Sequence, residues 1–86
     1  MPTISELFGI IIRMYYDDHN PLHFHAYYQD HQAIVLIETL AIAQGSLPRR
    51  AQALVLEWAS DHRVELMEDW RLASEHQPLN LIQPLE

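Results

Sequence analysis

The 86-residue chain has no cysteine, no lysine and only two glycines. Without cysteine there is no disulfide framework and no thiolate metal or redox centre. Without lysine, all fixed positive charge rests on five arginines, set against twelve acids for a formal net charge of −7. Non-specific nucleic-acid affinity comes almost entirely from phosphate neutralisation, so a generic nucleic-acid binder is disfavoured. Glycine scarcity together with 49% hydrophobic residues excludes a disordered or low-complexity chain. Apolar runs such as Ile10-Ile11-Ile12 and Ala33–Ile37 are far shorter than the roughly 20 residues of a membrane span. The segment Met1-Pro2-Thr3-Ile4-Ser5-Glu6 lacks the basic region and small-residue cleavage site of a secretory leader, so a cytoplasmic location is expected.

What is present reads as one domain over 1–86, strand-rich over 4–45 and helical behind it. Leu7 to Tyr16 is β-branched and aromatic and reads as a first strand, followed by turn chemistry at Asp18, Asn20 and Pro21. His23–Tyr28 reads as the second strand, and Ala33–Ile37 as a third, buried on both faces. Leu40-Ala41-Ile42-Ala43 reads as a fourth strand or as a lead-in to the helix. With Ser46 as N-cap and Pro48 in the first turn, apolar positions recur by threes and fours at Ala51, Val55, Trp58, Ala59, His62, Leu66, Trp70 and Ala73. One long helix over about 48–75 follows, ended by Pro78. The tail 79–84 alternates apolar and polar residues and is expected to pack as an edge strand or to meet a partner. The expected fold is α+β: an antiparallel meander of three or four strands covered on one face by that helix.

Four of the six histidines fall between Asp17 and His31. On a strand, His23, His25 and Tyr27 share one face, and Phe24, Ala26 and Tyr28 the other, with the second set the better core. His23 and His25 would start about 6.5 Å apart and converge on a divalent metal such as Zn²⁺, with His19 or Asp17 as third ligand. The same residues also read as structural imidazoles with no cofactor at all. A third reading is metal-free acid–base chemistry. If Asp17 faces His23, then Tyr15 faces His25 and Arg13 faces Tyr27, and the face carrying Arg13, His23 and His25 suits RNA cleavage. A one-residue slip would destroy that group. Arg49 and Arg50 stand in the first helical turn, where anions are favoured, and mark a candidate anion or partner contact. His62, on the apolar stripe, reads as a structural residue partnered by Asp61 or Glu65.

The segments Met1-Pro2-Thr3-Ile4-Ser5, Phe8-Gly9-Ile10, Asp18-His19-Asn20-Pro21-Leu22-His23-Phe24-His25-Ala26, Gly45–Ala51, Glu57-Trp58-Ala59 and His62-Arg63 resemble the prokaryotic domain-of-unknown-function 4160 family over nearly the whole chain. The resemblance implies a small stand-alone protein encoded beside another small gene, as in toxin–antitoxin pairs, and no settled activity. One helix cannot cover both sheet faces, so self-association or a protein partner from a neighbouring gene is expected. The leading expectation is therefore a protein-binding or regulatory component of a two-gene module with no assigned activity, with the metal-independent ribonuclease and the metal-binding domain as alternatives.

Overall fold

A computed structural model describes residues 3–85. Five strands, β1 (Thr3–Leu7), β2 (Ile10–Arg13), β3 (His23–Tyr28), β4 (His31–Leu36) and β5 (Ile42–Ser46), form an antiparallel meander in sequence order, followed by α1 (Arg49–Asp61) and α2 (Arg63–Ser74). The α+β meander stands as expected, with five strands in place of three or four. The expected first strand is two: Phe8 (φ 49°) and Gly9 (φ 80°) are both left-handed and close a two-residue hairpin between β1 and β2. Phenylalanine normally favours strands, which hid this turn from the composition.

The expected fourth strand begins two residues later than Leu40. Leu40 is itself left-handed (φ 60°) in a turn closed by Leu36 N–H to Ala41 C=O (2.9 Å) and Leu40 N–H to Leu36 C=O (2.9 Å). On β5, Gly45 (φ 75°) lies so close to β4 that a Cβ would come within 2.1 Å of the Gln32 carbonyl oxygen. Only glycine fits there.

Strand alternation sorts the sheet into two faces. Ile10, Ile12, Met14, Phe24, Ala26, Ala33, Val35 and Ile37 are buried together with Ala51, Val55, Trp58, Ala59 and Leu66 of the helices, and Trp58 meets Phe24 edge-on at 5.8 Å. The opposite face is open. Ile34 and Leu36 are only half-buried there, so β4 is covered on one face, not on both.

The helical segment is two helices. A straight helix over 49–74 would be about 39 Å long, longer than the molecule's 34 Å long axis. The break falls at His62 (φ −121°, ψ 25°), whose N–H is shared between Trp58 and Ala59 carbonyls at 3.1 and 3.2 Å. Beyond it Leu66 and Ala73 keep their expected buried places, but between them Asp69 is fully buried, whereas Trp70 is half-buried at the core's margin and reaches His23 on the open face. The His62 side chain pairs with Glu65 at 2.6 Å, in keeping with a structural role. Ser46 ends β5 and does not cap α1; the cap position is Pro48, with no side-chain cap bond. The tail packs along β1 without forming a strand: Ile82 N–H donates to Ile4 C=O (2.7 Å), Ser5 Oγ to Ile82 C=O (2.9 Å) and Trp58 Nε1 to Gln83 C=O (2.8 Å). No helix among the described residues is long and apolar enough to cross a membrane.

Candidate metal centre

His23, His25 and Tyr27 project from β3 onto the open face because Phe24 and Ala26, between them, are wholly buried in the core. On β2, Ile12 points inward and Arg13 shares the open face. The register is Ile11 opposite Tyr27, Ile12 opposite Ala26 and Arg13 opposite His25. Arg13 therefore lies two residues from its expected place opposite Tyr27. Side chains alternate with a period of two, so this shift keeps every residue on its expected face. The β2–β3 connection, residues 14–22, is longer than the tight turn read from sequence.

That connection lays Asp18 over the histidines. Its Oδ2 is 3.1 Å from His25 Nε2 and 3.1 Å from His23 Nε2, and one ligand atom from each of the three residues falls within 4.8 Å of the others. Neither His19 nor Asp17, expected as third ligand, belongs to this cluster; both are exposed. Which acid of the Asp17-Asp18 pair turns inward depends on the path of the loop, and strand periodicity does not reach it. The side chains of His23, His25 and Asp18 are 12%, 19% and 27% exposed, sheltered yet open to an entering ion.

Packing fixes both imidazoles. His23 lies 5.2 Å from the Trp70 ring, and Tyr15 stands edge-on to His25 at 4.7 Å. Tyr27 stacks alongside His25 at 6.3 Å, carries the Arg13 guanidinium 5.4 Å from its ring centre, and shares a 2.7 Å hydroxyl–hydroxyl bond with Tyr15. Burial first, and the Tyr15 bond second, push the Tyr27 hydroxyl up to about 12, with Arg13 pulling the other way. Tyr27 therefore stays a neutral phenol at physiological pH.

The hydrogen-bond inventory of His23 gives the site its direction. Its Nδ1 is 2.8 Å from the Pro21 carbonyl oxygen, which can only accept, so Nδ1 carries the proton. In the neutral ring Nε2 is then a bare lone pair facing the Asp18 carboxylate oxygen. Two lone pairs at 3.1 Å repel unless a proton or a cation lies between them. Of the two imidazole contacts to Asp18, only that of His25 has hydrogen-bond geometry; the His23 contact is a close approach alone. A backbone carbonyl holding the far nitrogen of an imidazole is the usual device that orients a metal-bound histidine. A tetrahedral ion with bonds of about 2.0–2.2 Å sets its ligands about 3.3–3.5 Å apart, close to the two 3.1 Å spacings to Asp18, while the two imidazole nitrogens lie within 4.8 Å of each other.

The other sequence candidates lie elsewhere. Arg49 and Arg50 are exposed in the first turn of α1, with no acid in that turn and no ion pair among the described residues. His31 is exposed at the start of β4, and His76 stacks on Tyr16 at 6.2 Å. Trp70, which the apolar spacing places in the core, packs at its margin and reaches the cluster through His23.

The fold and its site define a small α+β protein whose open sheet face carries a two-histidine, one-carboxylate cluster ringed by tyrosine and arginine. Its family is that of the Domain of unknown function (DUF4160), whose sequence profile matches residues 9–71, and the chain belongs to it. No curated protein and no solved structure matches the chain.

Proposed function

We propose that this protein binds a divalent transition-metal ion, Zn²⁺ foremost, through Asp18 Oδ2, His23 Nε2 and His25 Nε2. The carrying observation is the Pro21-held His23, whose Nε2 is thereby set 3.1 Å from the Asp18 carboxylate oxygen that His25 Nε2 also meets at 3.1 Å. Two imidazoles and one carboxylate suit Zn²⁺ and its neighbours over Ca²⁺ or Mg²⁺, which prefer oxygen ligands. Three protein ligands leave a coordination position open, the arrangement of ligand-binding or catalytic sites and not of closed structural ones. Elemental analysis after loading and desalting tests this. One ion per chain is expected in the wild type, with loss of binding in Asp18→Asn and in the double replacement His23→Ala, His25→Ala. Stoichiometric binding that survives all of these substitutions would refute the assignment.

A second reading, a protein-binding component of a two-gene, toxin–antitoxin-like module, is favoured by a separate observation. Ile11, Ile34 and Leu36 are half-exposed on the same open face, and the family resemblance suggests a neighbouring gene product as partner. Sedimentation of the pure protein would show a dimer if this surface pairs with itself. A strict monomer that also fails to bind the neighbouring gene's product would remove this reading.

A further inference from the structure

We infer that the open side of the metal centre takes a tetrahedral oxyanion of the phosphate class, held jointly by the ion and by Arg13; the inference rests on the metal-binding reading above. Among the described arginines, only Arg13 has a side-chain nitrogen buried without a hydrogen-bond partner. Acids outnumber arginines twelve to five, yet Arg13 takes part in no ion pair among the described residues, and its Nε is buried without a hydrogen-bond acceptor. Arg71, by contrast, holds both Glu68 and Glu75. The Tyr27 ring beneath Arg13 eases its charge but offers the N–H groups no lone pair in the plane of the guanidinium. A buried donor without an acceptor is costly, and a ligand oxygen removes the cost.

The surroundings select the class of ligand. Arg13 is paired in register with the ligand His25, so its guanidinium stands on the same face as the cluster. Bound metal and Arg13 together outweigh Asp18, which makes this patch positive on an acidic molecule. The Tyr15–Tyr27 pair has two hydroxyl protons and spends one on its own bond, leaving the other free to donate. An open metal position, a guanidinium fork and a phenol make three separate partners on one sheet face. A tetrahedral oxyanion can meet all three, whereas a planar carboxylate has only two oxygens to offer. On the β4–β5 side of His25 and Tyr27 lies a depression of about 220 Å³, lined by Gln32, Ile34, Gln44 and Gly45. It has room for the organic part of a small phosphomonoester. The acidity of the chain argues against a polynucleotide as the source.

The test uses the full-length protein loaded with Co²⁺, whose visible spectrum reports on its ligands. Inorganic phosphate, ribose 5-phosphate and acetate are titrated separately. Saturable spectral change with the two phosphates, and much weaker change with acetate, is expected. Arg13→Gln should weaken phosphate binding by about tenfold or more while leaving Co²⁺ stoichiometry intact. Arg13→Lys, which keeps the charge but loses the fork, should fall between, and thermal melts of both variants confirm that they fold. Tighter binding of the monoester assigns the depression to its sugar, and equal binding makes free phosphate the ligand. A protein that takes up no Co²⁺ overturns the metal reading and this one with it. Uptake of Co²⁺ without a phosphate response, or a response unchanged in folded Arg13→Gln and Arg13→Lys, overturns this inference alone.

Discussion

Replacing His23 by alanine separates a ligand from a scaffold because the two roles place the loss of stability in different samples. In the metal-free protein, the Nδ1 bond goes to the carbonyl of an exposed residue, Pro21, where water takes over once the ring is removed. Packing against the half-buried Trp70 and the contact with the partly exposed Asp18 are lost as well. The net cost should be no more than about 1 kcal/mol. In the metal-loaded protein the account differs. An ion held only by the folded state at about 100 times its dissociation constant stabilises by about 2.7 kcal/mol. In a domain of this size, each kcal/mol moves the melting midpoint by about 4–8 °C. Wild type should therefore melt about 11–22 °C higher with excess Zn²⁺ than with chelator, and His23→Ala should show little of that gain. Thermal melts of both proteins by circular dichroism, each with Zn²⁺ and with chelator, give the four numbers. A wild-type midpoint indifferent to chelator, with His23→Ala several degrees lower in both conditions, would refute the ligand assignment.

Asp69 and Gly45 give two further expectations. Asp69 is fully buried, accepts a bond from Asn80 N–H at one oxygen (2.9 Å) and has no partner at the other, and burial raises its pKa above the ordinary 3.8. Its contribution to stability is therefore complete below pH 3.8 and is lost as pH rises through the folded value. Asp69→Asn keeps an acceptor for Asn80 and should flatten that part of the urea-midpoint profile while stabilising the protein near neutrality; a variant profile parallel to wild type would contradict it. Gly45→Ala should cost more than about 1 kcal/mol, through left-handed strain and through the 2.1 Å approach to the Gln32 carbonyl. An unchanged urea midpoint would show that β5 can move away freely.

The parts legible in the sequence are those set by short-range periodicity. Alternation along His23–Tyr28 gives the buried and open faces correctly because Phe24 and Ala26 have no other side on which to be buried. It also survives an error of two residues in the β2–β3 register, since face depends only on parity. The third member of the cluster was out of reach because Asp18 lies in an irregular connection, where no repeat determines the direction of a side chain. The hairpin at Phe8-Gly9 was hidden by a turn position occupied by a strand-forming residue. The helix break was hidden differently: no glycine or proline marks residues 60–64, and the apolar spacing runs through His62 unbroken. What the spacing does not register is length: a straight helix over 49–74, about 39 Å long, would outrun the molecule's 34 Å long axis.

That break ties the back of the molecule to the candidate site. Leu66 and Ala73 of α2 are buried as the apolar spacing requires, yet between them it is Asp69 that is fully buried and Trp70 that lies at the core's margin. The observed chain accepts a buried carboxyl at Asp69, which holds the tail through Asn80, and in return sets Trp70 against His23. With Trp70 on one side, the Pro21 carbonyl at Nδ1 and Asp18 at Nε2, the His23 ring has neither a free face toward the helix nor freedom to flip. A half-buried histidine kept only for packing has no need of three separate constraints. A ligand does, because a metal bond tolerates little misalignment and a ring fixed in advance loses little entropy when the ion arrives.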